Sequence, residues 1–191
     1  IMKWAKWWII PACIVVALAG LPAMSSAFDT KLAPEQMKEA AEYGAKYKGT
    51  DVFGSTVVKQ ACFGGYPGGE GGIVMSKYIH AVVISAMMNL KDKTVTEEKL
   101  KEIDELTTFK VIVIVSEEEA KTPEDVQIVL AQGTNNTLPQ KTEMGMKRKD
   151  YKQSIDATFL QDKINPRSNT TIIVKTRKDE KRYKIDFSDI K

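Results

Sequence analysis

Cysteine and histidine are almost absent from this chain: two Cys and one His in 191 residues. Cys13 lies inside the apolar N-terminal stretch, which leaves Cys62 as the one thiol of the remainder. An internal disulfide framework, which needs an even set of cysteines, is excluded, and stability must come from a hydrophobic core. One His and one Cys do not make a zinc site without carboxylates. No Asp-x-Asp-x-Asp-Gly loop is present for calcium, no Cys-x-x-Cys-His for haem and no Gly-x-Ser-x-Gly elbow for a serine nucleophile. The consecutive acids Glu117-Glu118-Glu119 fan around a turn rather than converge, so a solvated loop is expected there. The expectation is a protein without metal or other cofactor.

Charge of one sign is also in short supply. Lys and Arg number 28 against 25 Asp and Glu, a net charge of +3, and two of those lysines belong to the N-terminal segment. A near-neutral remainder lacks the basic face expected for wrapping nucleic acid, and no nucleic-acid partner is expected. The local basic clusters, Lys147-Arg148-Lys149 and Lys175 to Lys184, are interrupted by Asp150, Asp179 and Glu180 and read as solvated hairpin surface.

A long apolar run occurs in one place. Lys3 and Lys6 precede an uncharged stretch, Trp7 to Leu21, which Pro22 ends, and Ser25-Ser26-Ala27 places small residues before Phe28. Positive start, apolar centre and small-residue exit make a secretory signal. Residues 1–27 are expected to be removed between Ala27 and Phe28, leaving an exported protein of the bacterial periplasm or cell surface with no stable membrane span. The run is shorter than the roughly 20 residues of a spanning helix. An uncleaved anchor, which would make a membrane-tethered structural protein, is the alternative, as is acylation at Cys13.

After the signal, residues 28–50 are expected to form an amphipathic helix or tether. Pro34 and Glu35 suit a first turn, Met37, Ala40, Ala41, Gly44 and Ala45 recur at helical spacing, and Gly49 ends it. Residues 51–191 are expected to form a single α+β domain. The β-branched segment 51–62 reads as a strand. Ile79, Val82, Val83, Ala86, Met87 and Leu90 form a helical stripe, so a largely buried helix is expected over 76–90. A polar helix capped near Thr94-x-x-Glu97 follows, which places helices in 76–106.

From Phe109 onward the pattern is that of strands. Val111 to Val115 is apolar on both faces, and Val126, Ile128 and Leu130 alternate after a capped Thr122-Pro123-Glu124-Asp125 turn. Gly133 to Asn136 is a turn, followed by a strand through Leu138 to Met146. Ser154 to Phe159 is another strand, and Thr171 to Val174 with Tyr183, Ile185 and Phe187 makes a hairpin. The expected architecture is N-terminal helices packed on an antiparallel, immunoglobulin-like β-sandwich.

Chemistry-bearing candidates cluster around the glycine run Phe63 to Gly72, where six of ten residues are glycine, so the backbone is expected to be mobile or to need positive φ at several points. Its spacing matches neither a phosphate loop nor a dinucleotide fingerprint, and an exposed, mobile loop is expected, one that lets another backbone approach closely. The candidate ligand-binding set is Cys62, Gly64, Gly65, Tyr66, Gly68, Gly69, Glu70 and His80. His80 sits on an apolar helix, where a packed residue is the ordinary outcome. A Cys62–His80 nucleophile pair is the one enzyme constellation these residues allow. The reading is a non-enzymatic binding or envelope-assembly module, its partner an unknown protein or cell-envelope component. A Cys62-dependent thiol enzyme or redox protein is the alternative.

Overall fold

The structure, a computed structural model, describes residues 32–148 and 150–191. The expected signal, its cleavage point at Ala27–Phe28, Cys13 and residues 28–31 lie outside the described residues.

Helix α1 (Pro34–Gly44) starts at the proline, with the Gln36 side chain accepting from the Ala33 N–H at 2.9 Å. It stops at Gly44 rather than Gly49, and Asn89 at the end of α3 (Lys77–Asn89) donates to the Ala45 and Tyr47 carbonyls at 2.8 Å each, closing the frayed end. Gly44 is where α1 crosses α3: a Cβ there would strike the Val82 carbonyl.

The segment expected as a strand over 51–62 is instead helical. A 3-10 turn, Gly49–Gly54, leads into the short helix α2 (Thr56–Gln60). The β-branched Val57-Val58 pair suggested extended backbone, but Ser55 accepts from the Val58 N–H at 3.4 Å and caps a helical turn. Extended structure begins only at β1 (Cys62–Gly64), which pairs antiparallel with β2 (Gly71–Met75).

The glycine run therefore spans the tip of a hairpin and the adjoining ends of both its arms. Gly65 N–H donates to the Glu70 carbonyl and Gly69 N–H to the Gly65 carbonyl, both at 2.6 Å, around a cis Tyr66–Pro67 bond. The expected close backbone approach is found at Gly72, where a Cβ would meet the Ile112 carbonyl and the Phe63 ring. Ser76 caps α3, accepting from the Ile79 N–H at 3.2 Å. Ile79, Val82 and Ala86 are buried, whereas Leu90, placed on the same stripe by spacing, is 58% exposed beyond the helix end. The α4 cap (Glu97–Asp104) is Thr96, two residues after the expected Thr94; its hydroxyl accepts from Lys99 N–H at 3.3 Å.

The strands β3 (Thr108–Ser116), β4 (Gln127–Gln132), β5 (Asn135–Thr137), β6 (Lys141–Lys147), β7 (Lys152–Leu160), β8 (Asn169–Lys175) and β9 (Glu180–Asp186) complete the described residues' two sheets. The strand expected from Leu138 to Met146 is interrupted at Leu138-Pro139, since proline cannot donate to a ladder. The orders are β1-β2-β3-β7-β6 and β5-β4-β8-β9, all pairings antiparallel. The fold is α+β. Val111, Val113, Ile155 and Phe159 of the first sheet and Ile128, Leu130, Ile172 and Ile185 of the second belong to one hydrophobic core. Phe109 stacks on Phe159 at 5.6 Å and meets Phe187 edge-on at 6.2 Å. No helix among the described residues is long and apolar enough to cross a membrane.

Candidate functional site

Strand side chains alternate between faces, and β3 shows the consequence. Phe109, Val111, Val113 and Val115 enter the core, while Lys110, Ile112 and Ile114 point to the opposite face. Register places Met75 beside Lys110, Asp156 beside Ile112 and Ser154 beside Ile114 on that outer face. Helix α3 runs along it, and His80, Val83 and Met87, spaced i, i+3, i+7, turn toward it.

The space between is a groove. One part, a cavity of about 240 Å³, is lined by Phe53, Tyr66, Val83, Met87, Met146 and Arg148 above Ile112, Ile114, Ser154 and Asp156. The neighbouring part, about 310 Å³, is lined by His80, Leu106, Thr108, Lys110 and the first turn of α3. Met75, Ile112 and Asp156 line both, so the two adjoin along one face of the sheet and together make the trough.

Strand β6 makes the far wall because its register shifts between Met144 and Lys147; such a bulge re-aims the side chains after it, here Met146 and Arg148. Gly145 lets β6 close on β7, since a Cβ would collide with the Ser154 hydroxyl and the Asp156 carboxylate. Ser154 then donates to the Met146 carbonyl at 3.2 Å.

The polar groups of the trough differ in how they are matched. Asp156 faces the Lys110 ammonium at 3.6 Å. Glu143, opposite Asp156 on β6, is held by Lys141 at 2.8 Å. Asp150 is claimed by Lys152 at 2.9 Å and comes within only 4.0 Å of Arg148 Nε. Tyr66 sets its ring edge-on to Phe53 at 5.5 Å. Burial pushes its hydroxyl up to about 12, with Cys62 adding to the shift, Arg148 opposing it and Asp156 adding. Burial, then Lys110 and Lys99, hold the His80 imidazole below its ordinary range.

The candidate set from the sequence is divided by this arrangement. Tyr66 and His80 reach the trough, at different parts of it. Cys62 is half-buried on β1, its thiol donating to the Val58 carbonyl at 3.2 Å and pushed up to about 11 by burial. It lines neither part of the trough. Glu70 pairs with Lys181 of β9 and lines a pinched cavity of about 10 Å³ with Val113, Val174 and Tyr183. Gly64, Gly65, Gly68 and Gly69 shape the hairpin tip, where Gly68 accepts from the Lys152 ammonium at 3.0 Å. Among the described residues no group of three or more His, Cys, Asp or Glu is arranged to hold a metal ion.

Most of the trough was not singled out from the sequence. Val83, Met87, Ile112 and Ile114 look like core in a linear reading. The available signal was surplus: a helix with a wide apolar stripe beside a strand apolar on both faces has more greasy surface than one core uses. No protein-family model, curated protein or solved structure matches this chain.

Proposed function

We propose that this protein is an exported, non-enzymatic binding module that holds an apolar ligand in the trough between α3 and the outer face of the β2-β3-β7-β6 sheet. The carrying observation is the lining itself: Phe53, Met75, Val83, Met87, Ile112, Ile114 and Met146 surround a cavity with few polar groups, as small-molecule sites usually do. Methionine is unbranched and polarizable, and suits a wall that adapts to its guest. The finer architecture belongs to the same proposal: an immunoglobulin-like sandwich with helices laid on it, working in the periplasm or at the cell surface. Support for a non-enzymatic role is the Cys62 thiol, raised in pKa and bonded to a carbonyl rather than activated by an imidazole.

The test is fluorescence of the neutral apolar dye N-phenyl-1-naphthylamine. The wild-type protein should bind it saturably with a blue-shifted emission. Val83→Asp and Met87→Asp, both at half-buried helix positions, should lose at least tenfold in affinity while unfolding near the wild-type temperature. Absence of saturable binding, or equal binding by both folded variants, would refute the proposal. Intact mass after expression with export tests the address: a species beginning at Phe28 is expected, and retention of residues 1–27 would overturn it.

A further inference from the structure

The trough carries a charge pattern as well as an apolar wall, and the pattern selects a ligand class. On the outer face, Asp156 faces Lys110 and Glu143 faces Lys141. At the rim formed by β6, Lys152 occupies Asp150 at 2.9 Å, and Arg148 is left with a 4.0 Å approach to the same carboxylate. Arg148 lines the trough together with Tyr66 and Ser154, and the Tyr66 hydroxyl makes no hydrogen bond to the described residues. A planar guanidinium and a phenol at the mouth of a greasy slot are two donors matched to a carboxylate. From Met87 back to Lys77 the helix wall of the trough spans ten residue-to-residue rises, about 15 Å at 1.5 Å each, which suits one extended aliphatic chain.

We infer that the ligand is a single-chain aliphatic carboxylate, its tail lying along α3 over Ile112 and Met75 and its head held at the β6 rim by Arg148 with Tyr66. This inference rests on the trough being the binding site and adds the chemistry of the head. A fatty carboxylate meets both halves of the site: burial of methylenes supplies affinity, and the guanidinium supplies the preference for an anion over a neutral head. Lys110, 3.6 Å from Asp156, offsets part of the repulsion that this acid on the floor exerts on the head.

The experiment is displacement of N-phenyl-1-naphthylamine by dodecanoate, dodecanol and dodecylammonium, each below its micelle concentration, on wild type and on Arg148→Gln, Arg148→Lys and Tyr66→Phe. Arg148 is a partly exposed rim residue, so its replacement leaves the core intact. Dodecanoate should displace the dye at least tenfold more tightly than dodecanol on the wild type. Arg148→Gln should bring the two within about threefold by weakening dodecanoate alone, Arg148→Lys should restore part of the preference, and Tyr66→Phe should reduce it severalfold. Equal binding of acid and alcohol on the wild type, or an unchanged preference in Arg148→Gln, would overturn the inference while leaving an apolar site standing. Tightest binding by dodecylammonium would overturn it in favour of Asp156 as the head partner. Failure of all three to displace a dye that does bind would also overturn it, whereas failure of the dye to bind overturns the site itself.

Discussion

Replacing one glycine of the 63–72 run should be costly and replacing another should not, and the difference measures whether the run is a packed hairpin. At Gly72 a Cβ would meet the Ile112 carbonyl and the Phe63 ring. Phe63 is 5% exposed and tied to the core, and Ile112 presents backbone within the β2–β3 ladder. Neither can swing aside as a flexible side-chain end would. Overpacking of this kind costs about 1–3 kcal/mol and occasionally more; with backbone as the obstacle, about 2–4 kcal/mol is expected for Gly72→Ala. At Gly68 a Cβ meets nothing within 4 Å, and alanine narrows the unfolded ensemble, so Gly68→Ala should be neutral or stabilise by roughly 0.5 kcal/mol. For a domain of this size each kcal/mol moves the melting temperature by about 2–4 °C. Gly72→Ala should therefore melt roughly 5–15 °C below wild type and Gly68→Ala at or slightly above it, with urea unfolding giving the same order. A Gly72→Ala variant within about 0.5 kcal/mol of wild type would refute the packed-hairpin account.

Cys62 should resist labelling: with its thiol pushed up to about 11 against an ordinary value near 8.5, the thiolate fraction at pH 8 falls by a factor of order 100, and native protein should react with a disulfide reagent about that much more slowly than unfolded protein. Comparable rates would contradict the burial assigned to it. His80, held below its ordinary range by burial and by Lys110 and Lys99, takes up its proton more readily when unfolded. Its contribution to stability is complete above pH 6.5 and is lost as pH falls toward the folded value. The wild type should lose more stability than His80→Gln between pH 7 and pH 5 by urea titration; parallel curves would refute this. Asp125 accepts from the Lys121 and Thr122 N–H groups at 3.0 Å and from Arg177 at 2.5 Å. Asp125→Ala should lower the melting temperature more than Arg177→Ala. Because these partners lower its pKa, the difference should be present at neutral pH and shrink as pH falls through the folded value.

Elements whose pattern and caps agree were legible in the sequence. The β8–β9 hairpin is read from Thr171 to Val174 and the period-two Tyr183, Ile185 and Phe187, and α3 from its stripe. Residues 51–62 were not, because Val57 and Val58 favour extended backbone while Ser55 supplies a cap, and the cap wins where the chain must turn before β1. In the glycine run, composition reports the conformational freedom that Gly64 and Gly71 use at positive φ, but it does not show that Gly72 is there for lack of room. The trough was hidden for a different reason. Periodicity states that Val83, Met87, Ile112 and Ile114 avoid water, but not whether protein or a vacant slot receives them. Arg148 could not be distinguished from its neighbour Lys147 until the β6 bulge assigned it a wall.

The strand β3 is apolar on both sides, and that deprives it of something most strands possess. A slip by one residue exchanges the faces of a strand; in an alternating strand it drives polar groups into the interior and is rejected at once. In Val111 to Val115 the exchange would set isoleucines in place of valines and lose almost no burial. Alignment must therefore be enforced from the ends, by the Phe109–Phe159 stack and by Lys110 reaching Asp156 at 3.6 Å. The ion pair on the floor of the trough is thus also an index mark for the central strand, in register only when Lys110 stands within reach of Asp156.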